Sequence, residues 1–341
     1  MSTEGGKKAV IAALLANLGI AVTKFVAFLL TGFSSMLAES IHSVADSGNQ
    51  ILLLVGGKRS QRDATPQHPF GFGRERYVYS FIVAIILFSL GGCFALYEAW
   101  HKYQEVSGES DYDPFQSRWW WVPLVVLVIA IGMEGASFRT AVRESNKTRG
   151  NRSWVRFVKS SKSPELPVIL LEDFGALIGL TFALGGVGLM LITGNPIFDV
   201  LGSAMIGVLL VVIAAFLAVE MKSLLVGEAA TRRHQEAIAA ALESPDTIDR
   251  VIHLRTMHLG PEELLVAAKL AVGAPDRADV VARAIDDAER AARDAVPDLE
   301  LVIYLEPDID RGGAHRSVHE RGEALAGTGG DVPDGEHVDG G

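Results

Sequence analysis

The sequence predicts a membrane protein built as an all-α bundle of six transmembrane helices, followed by a small α+β domain of order αββαβ. Three observations predict it. Six apolar stretches, each about the 20 residues a bilayer requires, fill the first two-thirds of the 341-residue chain. The short loops between them alternate between rich and poor in Lys and Arg. After Gly227 the long apolar runs give way to short amphipathic segments. Composition agrees, because 49% hydrophobic residues is high for a chain whose last third is strongly polar.

The six stretches are 9–30, 35–57, 77–100, 119–138, 166–192 and 197–226. The polar, basic start at 1–8 leads into an apolar run that reads as a first membrane helix rather than a cleaved signal peptide. Loops with Lys and Arg stay on the cytoplasmic side. The loop after the second span holds Lys58, Arg59, Arg62, Arg74 and Arg76, and the one after the fourth holds Arg139, Arg143, Lys147, Arg149, Arg152, Arg156, Lys159 and Lys162. The loop after the third carries Glu105, Glu109, Asp111 and Asp113 instead. Both termini are therefore expected in the cytoplasm, in a multi-pass protein of the cell (plasma) membrane. Trp119, Trp120 and Trp121 at the outer start of span four read as an interfacial belt. Cys93, the single cysteine, reads as a small apolar residue within span three and leaves no intrachain disulfide or thiolate cluster.

The soluble part, 228–310, begins with a helix over 230–242. A strand over 250–259 enters a Gly260-Pro261 turn, and a second strand follows over 264–272. A helix over 278–296 and a strand over 299–306 complete it. From 311 to 341 Gly, Asp, Glu and His dominate without apolar periodicity, which reads as a disordered tail; His315, His319 and His337 there read as solvated. The net charge of −10 lies largely in this soluble region. It argues against nucleic-acid binding and suits a divalent cation better than a phosphate.

Function is sought in the ionisable residues at membrane depth, where charge is costly and marks ion or proton paths. His42 and Asp46 are four apart and so share one helix face in span two. Glu39, Ser40, Ser47, Asn49 and Gln50 make that span the most polar of the six. Span five offers Glu172 and Asp173, adjacent and thus about 100° apart around a helix. If spans two and five meet, an imidazole and two or three carboxylates converge. Such a set suits zinc, and its carboxylate-rich versions suit manganese or ferrous iron. Ligands bind metal deprotonated, which couples metal exchange to protons. Asn17 and Lys24, seven apart in span one, share a face and read as interhelical support. Glu134 in span four reads equally as a proton relay or gate and as the partner of Arg74 or Lys24.

The stretch Thr31-Gly32-Phe33-Ser34-Ser35-Met36-Leu37-Ala38-Glu39-Ser40-Ile41-His42-Ser43-Val44-Ala45-Asp46, with His68-Pro69-Phe70-Gly71-Phe72-Gly73-Arg74 before span three, resembles the cation diffusion facilitator family of metal/proton antiporters. The likeness covers about nine-tenths of the chain and is nearest the branch of mitochondrial and nuclear zinc-transporter relatives, with which Leu171-Glu172-Asp173 is shared. Asp199 and Glu306-Pro307 also match. The resemblance implies a homodimer, a transport site built by spans two and five, and a ferredoxin-like cytoplasmic domain. His42, Asp46 and Asp173 match the family's metal site, with Glu172 as a further candidate.

The departures matter. Ile169 stands where span five usually carries a histidine, four before Asp173. Phe72 and Thr65 stand where a loop metal site has a His and an Asp, so that site is not expected. Ala268, Arg283 and Tyr304 replace histidines of the relatives' soluble domain, and His253 is displaced by one, so no binuclear cluster is expected there. His253 and His258, five apart on a strand, point to opposite faces and read as structural.

The expected activity is secondary active export of a divalent cation, zinc first, from the cytoplasm in exchange for protons by alternating access. Zn2+ is then transported substrate, with no prosthetic group. Manganese, iron or cobalt as substrate is the alternative, as is a membrane metal sensor or scaffold that binds without transporting. The H-E-x-x-H signature of a metalloprotease is absent, and no enzyme is expected.

Overall fold

The structure is a computed structural model that describes residues 2–31, 34–107, 120–273 and 277–309, with the side chains of 2–5, 31, 34–39, 41, 42 and 45 excepted. Trp119, Glu109, Asp111, Asp113, the segment 311–341 with its three histidines, and the His42 side chain lie outside the described residues.

The chain divides into two compact units, one of Met1–Glu228 with His258–Glu263, the other of Ala229–Met257 with Leu264–Gly341. In the first, helices α1 (Ser2–Thr31) and α2 (Ser34–Arg59) precede α3 (Glu75–Ile86). A π-helical segment, Leu87–Cys93, joins α3 to α4 (Phe94–Ser107). Then come α5 (Val122–Arg149), the short α6 (Trp154–Ser160), α7 (Glu165–Thr193) and α8 (Ile197–Val226). Cys93 lies within the span Glu75–Ser107 and is exposed.

Five segments among the described residues are long and apolar enough to cross a membrane: Gly6–Leu30, Glu75–Ser107, Val122–Arg149, Glu165–Thr193 and Ile197–Val226. The expectation of six therefore holds for five. The sixth stretch does fold as one helix, α2, but Glu39, Ser40, His42, Ser43, Asp46, Ser47, Asn49 and Gln50 make it too polar to qualify by composition. Outward-facing Leu30, Ile192, Val212 and Val219 are exposed and apolar, as a surface covered by hydrocarbon requires.

Helix α5 also runs past the expected end at 138. Nothing after Phe138 breaks a helix until Gly150, whose φ of 57° only glycine adopts cheaply. Much of the basic loop is thus helical. Helix α6 starts at Ser153, whose hydroxyl accepts from the Arg156 N–H at 3.3 Å.

Helices α7 and α8 approach closely because glycines face each other. A Cβ on Gly186 would lie 2.8 Å from the Phe198 carbonyl oxygen, and one on Gly202 3.0 Å from that of Phe182. Such small-residue contacts are how membrane helices gain van der Waals contact when the surrounding lipid is equally apolar. Lys102 on α4 donates to Asp199 on α8 at 3.3 Å. Below α8, Lys162 forms an ion pair with Glu228. Burial raises the pKa of Glu228, but the Lys162 hydrogen bond, the Ser223 hydroxyl and the Lys162 and His258 charges outweigh it and hold the carboxyl below its ordinary value.

The remaining elements are α9 (Arg232–Leu242), β1 (Ile248–His258), β2 (Glu263–Val272), α10 (Ala278–Ala295) and β3 (Glu300–Asp308), with the sheet in the order β1-β2-β3; all but the facing ends of β1 and β2, His258 and Glu263, belong to the second unit. The element order is the one read from the sequence. Leu264, Val266, Ala268 and Leu270 alternate into the core of β2. Ala284, Ala288 and Ala292, four apart, form the buried stripe of α10. His258 is buried with Nδ1 at 3.2 Å from the Gly260 carbonyl oxygen, while His253 is half-buried.

Candidate functional site

Helices α1, α5 and α7 pack against one another, and α2 against α1, beside a cavity of about 140 Å³. Asp46 reaches it from α2, Glu134 from α5, and Glu172 and Asp173 both from α7; α1 adds Asn17 and Lys24. Glu134, Glu172 and Asp173 are buried and Asp46 half-buried. Four carboxylates from three helices thus line one space at the depth where the sequence places membrane.

The adjacent acids of α7 diverge, as their 100° separation requires. Glu172 turns to α2, where Asn49 Nδ2 donates to its Oε1 and Gln50 Nε2 to its Oε2, each at 3.1 Å. Both amides are almost wholly enclosed, and each leaves its carbonyl oxygen buried without a protein partner. Asp173 turns to α5 and accepts from the Ser137 hydroxyl at 2.7 Å. Ile169, in the position of the missing histidine, is fully buried in the apolar core.

Among the described residues, no three His, Cys, Asp or Glu side chains converge closely enough to chelate a metal. The hydrogen bonds give the physical reason, since Glu172 and Asp173 are each turned to a protein donor. A cation entering this cavity must exchange those bonds for its own. His42 lies one helical turn before Asp46 on α2, and its neighbour Ser43 is buried and accepts from Lys24 Nζ at 3.2 Å.

Sequence reasoning found Asp46, Glu172, Asp173 and Glu134 because ionisable groups stand out in apolar runs. Asn49 and Gln50 stand out in the sequence only as polar, and the one signal for Ser137 is its position three residues from Glu134, on the same face. Asn17 and Lys24 do share a face, and it is the face that lines the cavity. Outside this region, His68 is exposed and its ring packs on Phe72 at 4.8 Å.

Residues 10–226 match the model of the cation efflux transmembrane domain. The chain is similar to the protein named proton-coupled zinc antiporter SLC30A9, mitochondrial, with 32% identity to the Homo sapiens protein over 75% of this chain and 44% of that one. The Mus musculus counterpart matches with the same identity and coverage. Metal tolerance protein C4 of Arabidopsis thaliana is 27% identical over 79% of this chain and 58% of its own length. The chain thus spans less than half the length of the zinc-antiporter relatives. The expected plasma-membrane location is corrected by these matches, since the relatives' names place them in the mitochondrion and point to an organelle membrane. Lys and Arg in loops report which side a loop occupies, not which membrane holds the protein.

Proposed function

We propose that this chain, which belongs to the cation efflux family, moves a divalent cation, zinc first, from the side of its Lys- and Arg-rich loops to the other in exchange for protons. The observation that carries the reading is the cavity that Asp46, Glu134, Glu172 and Asp173 line together. Carboxylates held together in a low-dielectric space repel one another and are relieved by either a dication or protons. That alternative is the chemical core of an antiporter.

In this reading His42 and Asp46 on α2 and Asp173 on α7 hold the cation, and Glu172 supports them from its Asn49 and Gln50 bonds. With the cavity open to the basic side, ionised ligands take up the cation. Rocking of the bundle opens it to the other side, where protons displace the cation and return on the reverse stroke. Helix α2 serves as the sixth span, because its polar face lines the cavity and escapes lipid. Residues 1–227 form the transport unit and 228–310 a ferredoxin-like domain on the basic side, through which two copies dimerise. The names of the relatives favour zinc, and their coupling to protons supports the exchange. The oxygen-rich cavity, with isoleucine in place of a second histidine, keeps manganese, iron and cobalt as competing substrates.

Proteoliposomes holding the purified chain test the proposal. Zinc uptake driven by an imposed pH gradient, competed by the other three metals, supports it. Metal-dependent change in the protein without any uptake points to a sensor.

A further inference from the structure

Lys24 is 5% exposed. It sits on α1 with the long apolar side chains Phe25, Val26 and Leu29 around it in sequence, all exposed on the outer surface. A membrane lysine on that surface would extend along the helix towards water. Lys24 turns inward instead, donates to Ser43 on α2 at 3.2 Å and lines the cavity with Asp46, Glu134, Glu172 and Asp173.

An ammonium buried at this depth persists only where anions compensate it. Four carboxylates in one small space likewise stay ionised only where cations compensate them. We propose that Lys24 is a tethered counter-cation of the transport cavity, which neutralises part of its negative charge between cargoes and opposes the bound dication so that it can leave. This rests on the transport reading above and adds a residue to it.

The consequence is a trade between affinity and release. A cavity of carboxylates alone would hold a dication too firmly to turn over, because transport requires binding that is favourable yet escapable. A fixed positive charge beside the site weakens binding and speeds release. It also sets selectivity by charge: a monovalent ion brings no more charge than the ammonium already there, whereas a dication does.

The test compares wild type, Lys24→Gln and Lys24→Arg, with zinc affinity measured on the purified protein by equilibrium dialysis and zinc flux measured in proteoliposomes. Removing a unit charge this close to the site in a partly dehydrated interior is expected to tighten zinc binding about tenfold or more and to lower maximal flux. Lys24→Arg keeps the charge and is expected to stay within about threefold of wild type, by the same Coulomb argument. A lysine that only supports helix contact would change the melting temperature without tightening binding. Unchanged or weaker zinc affinity in a folded Lys24→Gln protein overturns the proposal.

Should Lys24→Gln fail to fold, the change is made on Glu134→Gln, which removes one charge of each sign. The double variant is expected to bind zinc more tightly than Glu134→Gln alone, and equal affinity overturns the proposal. Absence of zinc flux in wild-type vesicles removes the transport reading itself. Flux in wild type with affinity and turnover untouched by Lys24→Gln removes only the role of Lys24.

Discussion

Asn49 on α2 donates to Glu172 on α7 at 3.1 Å, across the two helices that the transport reading requires to move metal together. With Gln50 on the other oxygen, both carboxylate oxygens of Glu172 are held by one partner helix. This ties α2 to α7 and distinguishes Glu172 from its neighbour Asp173, which is held from α5.

Glu172→Gln is therefore expected to weaken zinc binding by about tenfold, as the loss of a supporting group around a metal does. Asp173→Asn is expected to cost far more, because in the proposed transport cycle it removes a direct ligand. Zinc titrations of the two purified variants decide the ranking. Equal losses would place both carboxylates on the metal.

Asn49→Leu strips one donor from the buried Glu172 carboxyl. The cost of leaving such a group short of a partner is about 1–3 kcal/mol, to be read as a lower melting temperature in detergent. An unchanged melting temperature would mean that the amide does not tie the helices.

Gly186→Ala places a Cβ 2.8 Å from the Phe198 carbonyl oxygen and 3.4 Å from Asp199 Cα. Backbone cannot yield as a side chain can, so α7 and α8 must separate, at about 1–3 kcal/mol for an overpacked contact. Gly188→Ala, where a Cβ meets nothing within 4 Å, is the control expected to leave stability unchanged. Thermal melts of both variants check the contrast.

Lys162→Met tests the ion pair with Glu228. The folded pKa of Glu228 lies below the ordinary 4.5, so its ionised form stabilises the fold above that value and the contribution fades as pH falls through the folded pKa. Lys162→Met is expected to melt lower than wild type at neutral pH and to converge with it in acid below that pKa. A difference that stays constant across that range would show the pair to be irrelevant to stability.

Much of this was legible in the sequence, for identifiable reasons. Asp46, Glu172 and Asp173 announce themselves because a carboxylate within an apolar run has no cheap explanation. The αββαβ order follows from period-two alternation in residues such as Leu264, Val266 and Leu270, and from the four-residue alanine spacing of α10. The partners were not legible. Nothing in the local sequence tells that Asn49 and Gln50 meet Glu172, more than 100 residues away, or that Lys24 turns inward rather than outward. The reach of α5 to Arg149 escaped because hydropathy marks where a helix leaves apolar surroundings, not where its backbone hydrogen bonds stop. The polarity of α2 worked in both directions: it exposed the site and removed the helix from those that qualify as spans by composition.

The central claim is that the Asp46 and Asp173 carboxylates exchange a dication for protons. The most direct test records zinc entry and proton exit together in the same vesicles, using a zinc indicator and a pH indicator sealed inside at known buffering. Coupled signals are expected in the wild type, with loss of both in Asp46→Ala and in Asp173→Ala and each variant still folded. Zinc entry retained in both variants, or zinc entry without proton exit in the wild type, would contradict it.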